Sequence, residues 1–338
     1  MKKFKLFSTI LGAVFLAFLI IIKLAEKPED ILQKHLKKRY NKEFVIYYSG
    51  NRNDGRNSWF EAEIYPKELA GTSKEYDTYY WAKGFVENGK GGDTYGGVLL
   101  NESANEFYLP KLKELFGENV LPILNVEGYY EKTDFQEEMA RRREFYKEDP
   151  DGKFFPISGG IYIFGRVEND EDREKYREQI YKFVQFMKET GTFEYVSLGV
   201  EIIDERSLTN YFDNNRNNLF KAKQKYKTAD EFIKYREKIF KEAEKEFNQM
   251  IEEDKKIKIN SYLKSDFMRE NFINNGDNAY SVLYHVGIIS PKYQSTQPQK
   301  EGKINEYNSL NDIKLLNRMK LIYKEYFINK DGEVILTN

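Results

Sequence analysis

The chain of 338 residues contains no cysteine and only two histidines, and these two scarcities exclude several kinds of site. Without thiols there can be no structural disulfide and no thiolate metal centre. Two isolated histidines cannot hold zinc unless carboxylates complete the coordination. The sequence therefore predicts no metal and no cofactor, and a triad of nucleophile, histidine and acid would have to use His35 or His285.

An excess of positive charge is also lacking, because 54 lysines and arginines face 55 aspartates and glutamates. Proteins that bind nucleic acid normally carry a basic excess, so no nucleic-acid partner is expected. The chain is polar, with 32% charged residues, yet 26 tyrosines and 25 phenylalanines supply large apolar side chains. We therefore expect a folded body with an aromatic-rich core and no extensive disorder.

Long uncharged runs are absent except at the start, where Leu6 to Ile22 carries no charge and follows three lysines. A membrane-spanning helix needs roughly 20 mostly apolar residues, with ~17 at the short end. A cleaved signal peptide is the alternative, but cleavage after Ala25 would place Lys23 where a small residue is required. The sequence predicts an uncleaved, single-pass anchor over residues 1–25, with membrane lipid as its partner.

The orientation of this anchor follows from two opposing arguments. The flank after the run carries more basic residues than the three lysines before it, which favours a body in the cytoplasm. However, only five residues precede the run, and long following domains translocate largely regardless of charge. We expect the body to lie outside the cytoplasm.

The body is predicted to be α+β, with antiparallel and β-α-β elements and helices packed on the sheet. We divide it at residue 205, into a body with two β-α-β-like units over 26–205 and a continuous helical and strand part over 206–338. Periodicity and turn signals predict the following elements: strands at 43–50, 58–65, 77–87, 120–127, 157–168 and 193–203, and helices at 102–116 and 171–190.

The two β-α-β-like units share a short string, residues 84–88 (GFVEN) against 165–169 (GRVEN). This similarity suggests an internal duplication of one β-α-β unit, with a glycine-rich connection at 88–97 in the first copy. Chance recurrence of the strand–helix–strand pattern explains the string nearly as well.

The part after residue 205 is less regular. A charged amphipathic helix is predicted at 228–253, capped by Thr228 and Glu231. Strands are predicted at 257–262 and 279–289, and a mobile loop at 291–309, where apolar periodicity is lost.

Two motifs fail on their spacing. The glycines at 88–97 match neither a P-loop nor a dinucleotide fingerprint, so a plain connection is preferred to a phosphate cradle. The stretch 213–218 offers oxygen ligands at the first positions of a calcium loop. It lacks the required glycine, where Asn218 stands, and the closing glutamate, where Gln224 stands.

Four residues are candidates for catalysis. Glu201, Asp204 and Glu205 follow one another at the end of a predicted strand, where site residues often lie, and His285 is in an apolar strand. A glycosidase or a metal-dependent hydrolase could use such carboxylates. The simpler interpretation is that Asp204 caps the next helix, Glu201 points to solvent and His285 is a hydrogen-bonded structural residue.

For function, the anchor, the balanced charge and the lack of catalytic spacing favour a membrane-anchored extracytoplasmic binding or interaction protein. Such a protein would be non-enzymatic and would have an envelope protein as its partner. Two alternatives stay open: a bacterial envelope hydrolase acting on cell-wall polymers, and a membrane-anchored immunity or defence-associated inhibitor.

Overall fold

The computed structural model describes residues 26–72, 74–128, 132–149, 155–261, 280–295, 305–321, 326–328 and 334–336. The described residues fall into two compact units, one within residues 1–75 and 81–95 and one within residues 76–80 and 96–338. Both contain a β-sheet with helices packed on it, which confirms the α+β prediction. The predicted anchor at 1–25 lies outside the described residues, and no described helix is long and apolar enough to cross a membrane.

The first unit is a four-stranded antiparallel meander with one helix. Its elements in chain order are α1 (Pro28–Tyr40), β1 (Phe44–Asn53), β2 (Ser58–Pro66), β3 (Ala82–Glu87) and β4 (Lys90–Asp93), and the strands pair in that order. Pro28 begins α1 because proline is preorganised for the first helical position and its missing N–H is not needed there.

Helix α1 lies close to β3 and β4 because glycines face it. Leu32 and Leu36 on its inner side are fully buried. A Cβ at Gly84 would lie 2.7 Å from the Leu32 side chain, and one at Gly91 would lie 2.6 Å from the His35 Cβ. Any side chain at these two positions would push the helix away from the sheet.

The predicted connection at 88–97 is partly a hairpin. Asn88 and Gly89 both have positive φ angles, of 51° and 73°, and they join β3 to β4. An Asn-Gly pair is the preferred two-residue turn between antiparallel strands, since both residues tolerate this backbone conformation. Gly91 and Gly92 therefore belong to a strand, Gly96 and Gly97 lie in the helix that begins at Tyr95, and no phosphate cradle is formed there.

The second unit contains a five-stranded sheet in the order β5-β6-β7-β8-β9, in which β6 and β7 are parallel and the other pairs antiparallel. A separate antiparallel pair, β10 and β11, follows near the end of the chain. The strands are β5 (Val120–Val126), β6 (Ile157–Gly165), β7 (Val196–Asp204), β8 (Val282–Ile289), β9 (Leu316–Asn317), β10 (Tyr326–Ile328) and β11 (Val334–Leu336). The helices are α2 (Tyr95–Phe116), α3 (Phe135–Glu148), α4 (Asp170–Glu189), α5 (Asn210–Lys225), α6 (Ala229–Phe247), α7 (Glu252–Ser261), α8 (Pro291–Ser295) and α9 (Arg318–Leu321).

The two faces of the five-stranded sheet are covered differently. One face carries the main core, formed with buried side chains of α2, α3 and α4 such as Tyr108, Phe135 and Phe183. The other face has a smaller core at one end only, where Phe247 of α6 and Ile259 of α7 pack on β5, β6 and β7. The candidate site described below lies beside this smaller core and shares Tyr162 with it.

The outer edge of β5 is covered by side chains. Asn105 and Asn101, one turn apart on α2, accept hydrogen bonds from the backbone N–H groups of Leu124 (3.1 Å) and Val126 (2.7 Å). Pro122, two residues before Leu124 on the same strand, has no N–H to offer. The N–H groups of Leu124 and Val126 on this edge are thereby satisfied within the unit.

Several predicted elements need correction. Strands β3 and β5 belong to different sheets, so the first predicted β-α-β unit is not formed. The second is formed, since β6, α4 and β7 make a parallel crossover. The suggested duplication therefore lacks its first copy, because α2 connects two sheets and does not return to the first.

In the part after residue 205, one further prediction was wrong and one was wrong only in part. Residues 257–261, predicted as a strand, lie in helix α7, in which Ile259 is buried and Ile257 is 59% exposed. The predicted loop at 291–309 begins with the short helix α8 and contains residues 296–304, which lie outside the described part.

Candidate functional site

The structure separates the four predicted catalytic residues into two groups. Glu201 and His285 lie directly opposite each other on the antiparallel strands β7 and β8. Asp204 and Glu205 lie farther along, where β7 ends and a 3-10 turn begins. The two groups differ in their hydrogen-bond partners, so they are described separately.

Glu201 points away from the main core because side chains alternate along a strand. The even-numbered residues of β7 from Val196 to Ile202 belong to the main core, which leaves Ser197, Gly199 and Glu201 on the opposite face. Glu201 is nevertheless only 7% exposed, so the expectation that it points to solvent was wrong.

Glu201 and His285 are close but are not hydrogen bonded. The distance between His285 Nδ1 and Glu201 Oε1 is 3.4 Å, and the histidine side chain is 29% exposed. Within the described part of the chain, neither Glu201 Oε2 nor His285 Nδ1 has a hydrogen-bond partner, although both atoms are buried. Leaving a buried polar group unsatisfied costs roughly 1–3 kcal/mol, and more when the group is charged.

Tyr162 lies beside this pair, opposite Glu201 on the parallel strand β6. Burial raises the pKa of Tyr162, and the negative charge of Glu201 raises it further. The phenol therefore keeps its proton at neutral pH and cannot act as a base. Its ring leans over the preceding glycine, since a Cβ at Gly160 would lie 2.3 Å from the Tyr162 hydroxyl oxygen.

Three glycines stand side by side next to these polar residues. Gly160, Gly199 and Gly287 are paired in register across β6, β7 and β8, and we call them the glycine row. No atom lies within 4 Å of the position that a Cβ on Gly287 would occupy, and Gly287 is exposed. A ligand can therefore approach the backbone at this end of the row. The Glu201 site is defined here as Tyr162, Glu201 and His285 together with the glycine row.

Asp204 belongs to an arginine cluster at the end of β7. Its carboxylate accepts hydrogen bonds from Arg206 Nε (2.9 Å) and Nη2 (2.8 Å), and from Arg236 Nη2 at 3.4 Å. It also accepts from the Arg206 backbone N–H and so caps the 3-10 turn at 205–208. Asp204 and Arg236 are both almost fully buried, which makes this a structural ion pair.

Glu205 is held in the same way by a different arginine. Arg166 at the end of β6 donates to Glu205 Oε1 (2.8 Å) and to Glu244 Oε1 on α6 (2.5 Å). Arg166 thus joins a strand, the following turn and a helix. Asp204 and Glu205 form ion pairs with these arginines, whereas Glu201 Oε2 has no hydrogen-bond partner in the described part of the chain.

No family model matches the sequence, and no curated protein matches it. A solved structure with similarity is that of a DUF5037 family protein from Ruminococcus gnavus ATCC 29149. The two share 15% sequence identity with a TM-score of 0.33, over 51% of this chain and 73% of the other.

The stretch tested as a calcium loop lies inside helix α5, and two of its asparagines, Asn215 and Asn218, form hydrogen bonds within that helix. Among the residues that the structure describes, no group of three histidine, aspartate or glutamate side chains is arranged to hold a metal ion. Glu201 and His285 supply two potential ligands only.

Sequence reasoning missed a buried carboxylate in the first unit. Asp93, with no exposed side-chain surface, accepts from His35 Nε2 (2.7 Å), Arg39 Nη1 (3.1 Å), the Tyr40 hydroxyl (2.6 Å) and the Tyr95 backbone N–H (2.9 Å). Three of these donors lie on α1, so the spacing of His35, Arg39 and Tyr40 on one helix was the available signal. With all these donors in place, Asp93 fixes α1 to β4 and is not a site.

Proposed function

We propose that this chain is a membrane-anchored, non-enzymatic binding protein that binds its partner at the Glu201 site, with its body outside the cytoplasm. The observation that carries the binding proposal is the pair of buried atoms without partners, Glu201 Oε2 and His285 Nδ1, beside the exposed end of the glycine row. Buried polar atoms are nearly always paired, and an unpaired one in a native structure needs an explanation. A ligand that supplies the missing hydrogen bonds is such an explanation.

Binding is favoured over catalysis because the two neighbouring carboxylates already form ion pairs. Glycosidases use two carboxylates flanking the scissile bond. At the described site Asp204 and Glu205 are engaged by arginines, so Glu201 stands as a single carboxylate. One carboxylate beside one histidine suffices to hold a ligand group.

The location is proposed from the sequence alone, and the lack of cysteine permits a direct test. We would introduce one thiol at Arg56, an exposed residue of the first unit, and in a second variant one thiol at Lys5, before the predicted span. Intact cells would be treated with a membrane-impermeant maleimide. We expect Arg56→Cys to be labelled in intact cells and Lys5→Cys only after lysis; the reverse pattern would overturn the proposed orientation.

Binding would be tested by crosslinking the full chain in living cells and comparing the copurified proteins among three forms. Wild type and Glu194→Gln should capture the same partner, because Glu194 is an exposed residue that precedes β7. Glu201→Gln should lose it. Equal capture by all three forms, or by none of them above a mock control, would remove the proposal.

An envelope hydrolase is the second candidate, and the Glu201–His285 pair is the observation that favours it. A histidine beside a carboxylate can act as a general base on water. Release of soluble fragments from purified cell walls, abolished in both Glu201→Gln and His285→Asn but retained in Glu194→Gln, would support this function. No release by the wild-type protein would exclude it for that substrate.

A further inference from the structure

We infer that the group bound at the Glu201 site is a primary ammonium group on an unbranched CH₂, as found on a lysine side chain or an amino-terminal glycine. This inference rests on the proposed binding function and names the chemistry that the site recognises. It follows from the charge, the hydrogen-bonding capacity and the shape of the site.

Glu201 differs in its ion pairing from three other buried carboxylates of the described chain, Asp93, Glu138 and Asp204. Asp93 accepts from Arg39, Asp204 from Arg206 and Arg236, and Glu138 from Arg141 and Arg142. Glu201 is also buried, with 10% of its side chain exposed, but no arginine or lysine lies within ion-pair distance of it among the described residues. Burying a carboxylate without a cation is costly, so a cationic ligand group is the complement that the site lacks.

The two unpaired atoms determine how many hydrogen-bond donors a ligand group must carry. An ionised carboxylate is an acceptor only, and we take His285 Nδ1 as a second acceptor, which requires a neutral ring with its proton on Nε2. A group that satisfies Glu201 Oε2 and His285 Nδ1 together must therefore carry at least two donors. A primary ammonium carries three, whereas a hydroxyl carries one.

The space beside the glycine row limits the shape of a ligand that can reach these two atoms. A Cβ on Gly199 would lie 3.5 Å from His285 Cε1, and one on Gly287 would meet nothing within 4 Å. Gly287 is therefore the open side of the site, and we expect the ligand to enter from there. A narrow alkyl chain needs the least room beside these buried atoms, whereas a quaternary ammonium has no N–H and cannot make the hydrogen bonds.

The inference can be tested by thermal unfolding of the full-length protein in detergent, with four small probes at neutral pH. These are n-butylammonium for a lysine side chain, glycinamide for an amino terminus, and n-butanol and tetramethylammonium as controls. We expect a saturable rise of about 3 °C at ten times the Kd for one or both primary amines. The two controls should leave the midpoint unchanged, and the stronger of the two amines identifies the source of the group.

Three variants locate the effect. Glu201→Gln should abolish the shift and Glu194→Gln should retain it, since only the first changes the buried carboxylate. Gly287→Val places a side chain in open space on the approach path and should weaken the amine by tenfold or more. If Glu201→Gln fails to fold, Gly287→Val decides the test.

Three results would overturn the inference. The first is no shift by either amine, the second is a shift by n-butanol or tetramethylammonium equal to that of the amines, and the third is an amine shift that persists in both Glu201→Gln and Gly287→Val. If the amines have no effect but cellular capture still depends on Glu201, the ammonium class fails and the binding function stands. If both fail, the proposed function fails with it.

Discussion

Asp93 in the first unit and Glu201 in the second are both buried carboxylates facing a histidine, yet they have opposite hydrogen-bond environments. Asp93 accepts from four groups, three of them on helix α1. Glu201 has one oxygen without a donor and a histidine that is 3.4 Å away. The comparison shows that a histidine beside a buried carboxylate does not by itself indicate a site. The number of donors already supplied by the fold distinguishes a structural pair from one that can accept a ligand.

A third buried carboxylate, Asp204, extends the comparison, and its substitution should cause the largest loss of folding stability. Asp204→Asn removes the negative charge from a cluster with Arg206 and Arg236, and Arg236 is only 1% exposed. Breaking a buried pair from one side costs about 3–5 kcal/mol, because the remaining charge stays buried. Chemical denaturation of the full chain should show this loss, and a loss below about 1 kcal/mol would mean that solvent reaches Arg236.

Asp93→Asn should be the next largest change. An asparagine keeps one acceptor oxygen but loses the charge that faces His35 and Arg39. These partners are 27% and 33% exposed, so solvent screens part of the loss and we expect about 2 kcal/mol. The same denaturation experiment measures it, with Asp54→Asn in an exposed turn of the same unit as the control.

Tyr40→Phe sharpens the comparison by removing one of the four donors and leaving the ring. The Tyr40 hydroxyl donates to Asp93 at 2.6 Å, and a hydrogen bond to a charged group contributes about 1.5 kcal/mol or somewhat more. The expected loss is about 1 kcal/mol, since the other three donors remain. If Tyr40→Phe cost as much as Asp93→Asn, the hydroxyl would supply most of the interaction and the four donors would not share it.

Glu201→Gln should have the smallest effect on stability and the opposite sign. It replaces a buried charge lacking a cation by a neutral amide of the same shape, so the folded state should gain about 0.5 kcal/mol. The denaturation midpoint of the variant should therefore equal or slightly exceed that of wild type while binding is lost. A destabilisation of 2 kcal/mol or more would place Glu201 with Asp93 as a structural residue.

Much of the fold could be predicted where one periodicity dominated a long stretch. Helix α4 was predicted within one residue at each end, because Ile180, Phe183, Val184 and Met187 recur at helical spacing and Asn169 caps its start. Thr228 likewise caps α6, as predicted. Such signals are local, and packing against the sheet reinforces them.

Predictions failed where a short stretch carried two signals. Ile257 and Ile259 alternate as in a strand, but three acidic residues, Glu252, Glu253 and Asp254, begin the same segment and stabilise a helix start. At Asn88-Gly89 the turn signal was present and was overlooked in favour of the surrounding glycines. The residues that begin a helix or form a turn were therefore the more reliable signals in both stretches.

The sequence predicted some residues of the candidate site but not their arrangement. Glu201 and His285 were both candidates, but their meeting depends on the register between β7 and β8, which are joined by a long stretch of chain. The different environments of Asp204 and Glu201 could not be predicted either, because the ion-pair partners of Asp204 lie on a turn and on a distant helix. Local patterns contain none of this information.

The edge of β5 limits how this protein can meet other chains. Recognition and fibrous self-association both often proceed by adding a strand to an open sheet edge through main-chain hydrogen bonds. Here the amide groups of Leu124 and Val126 are already bound by asparagines of α2, and Pro122 has none to give. An incoming strand would have to displace those side chains first, which protects the second unit at this edge against both processes.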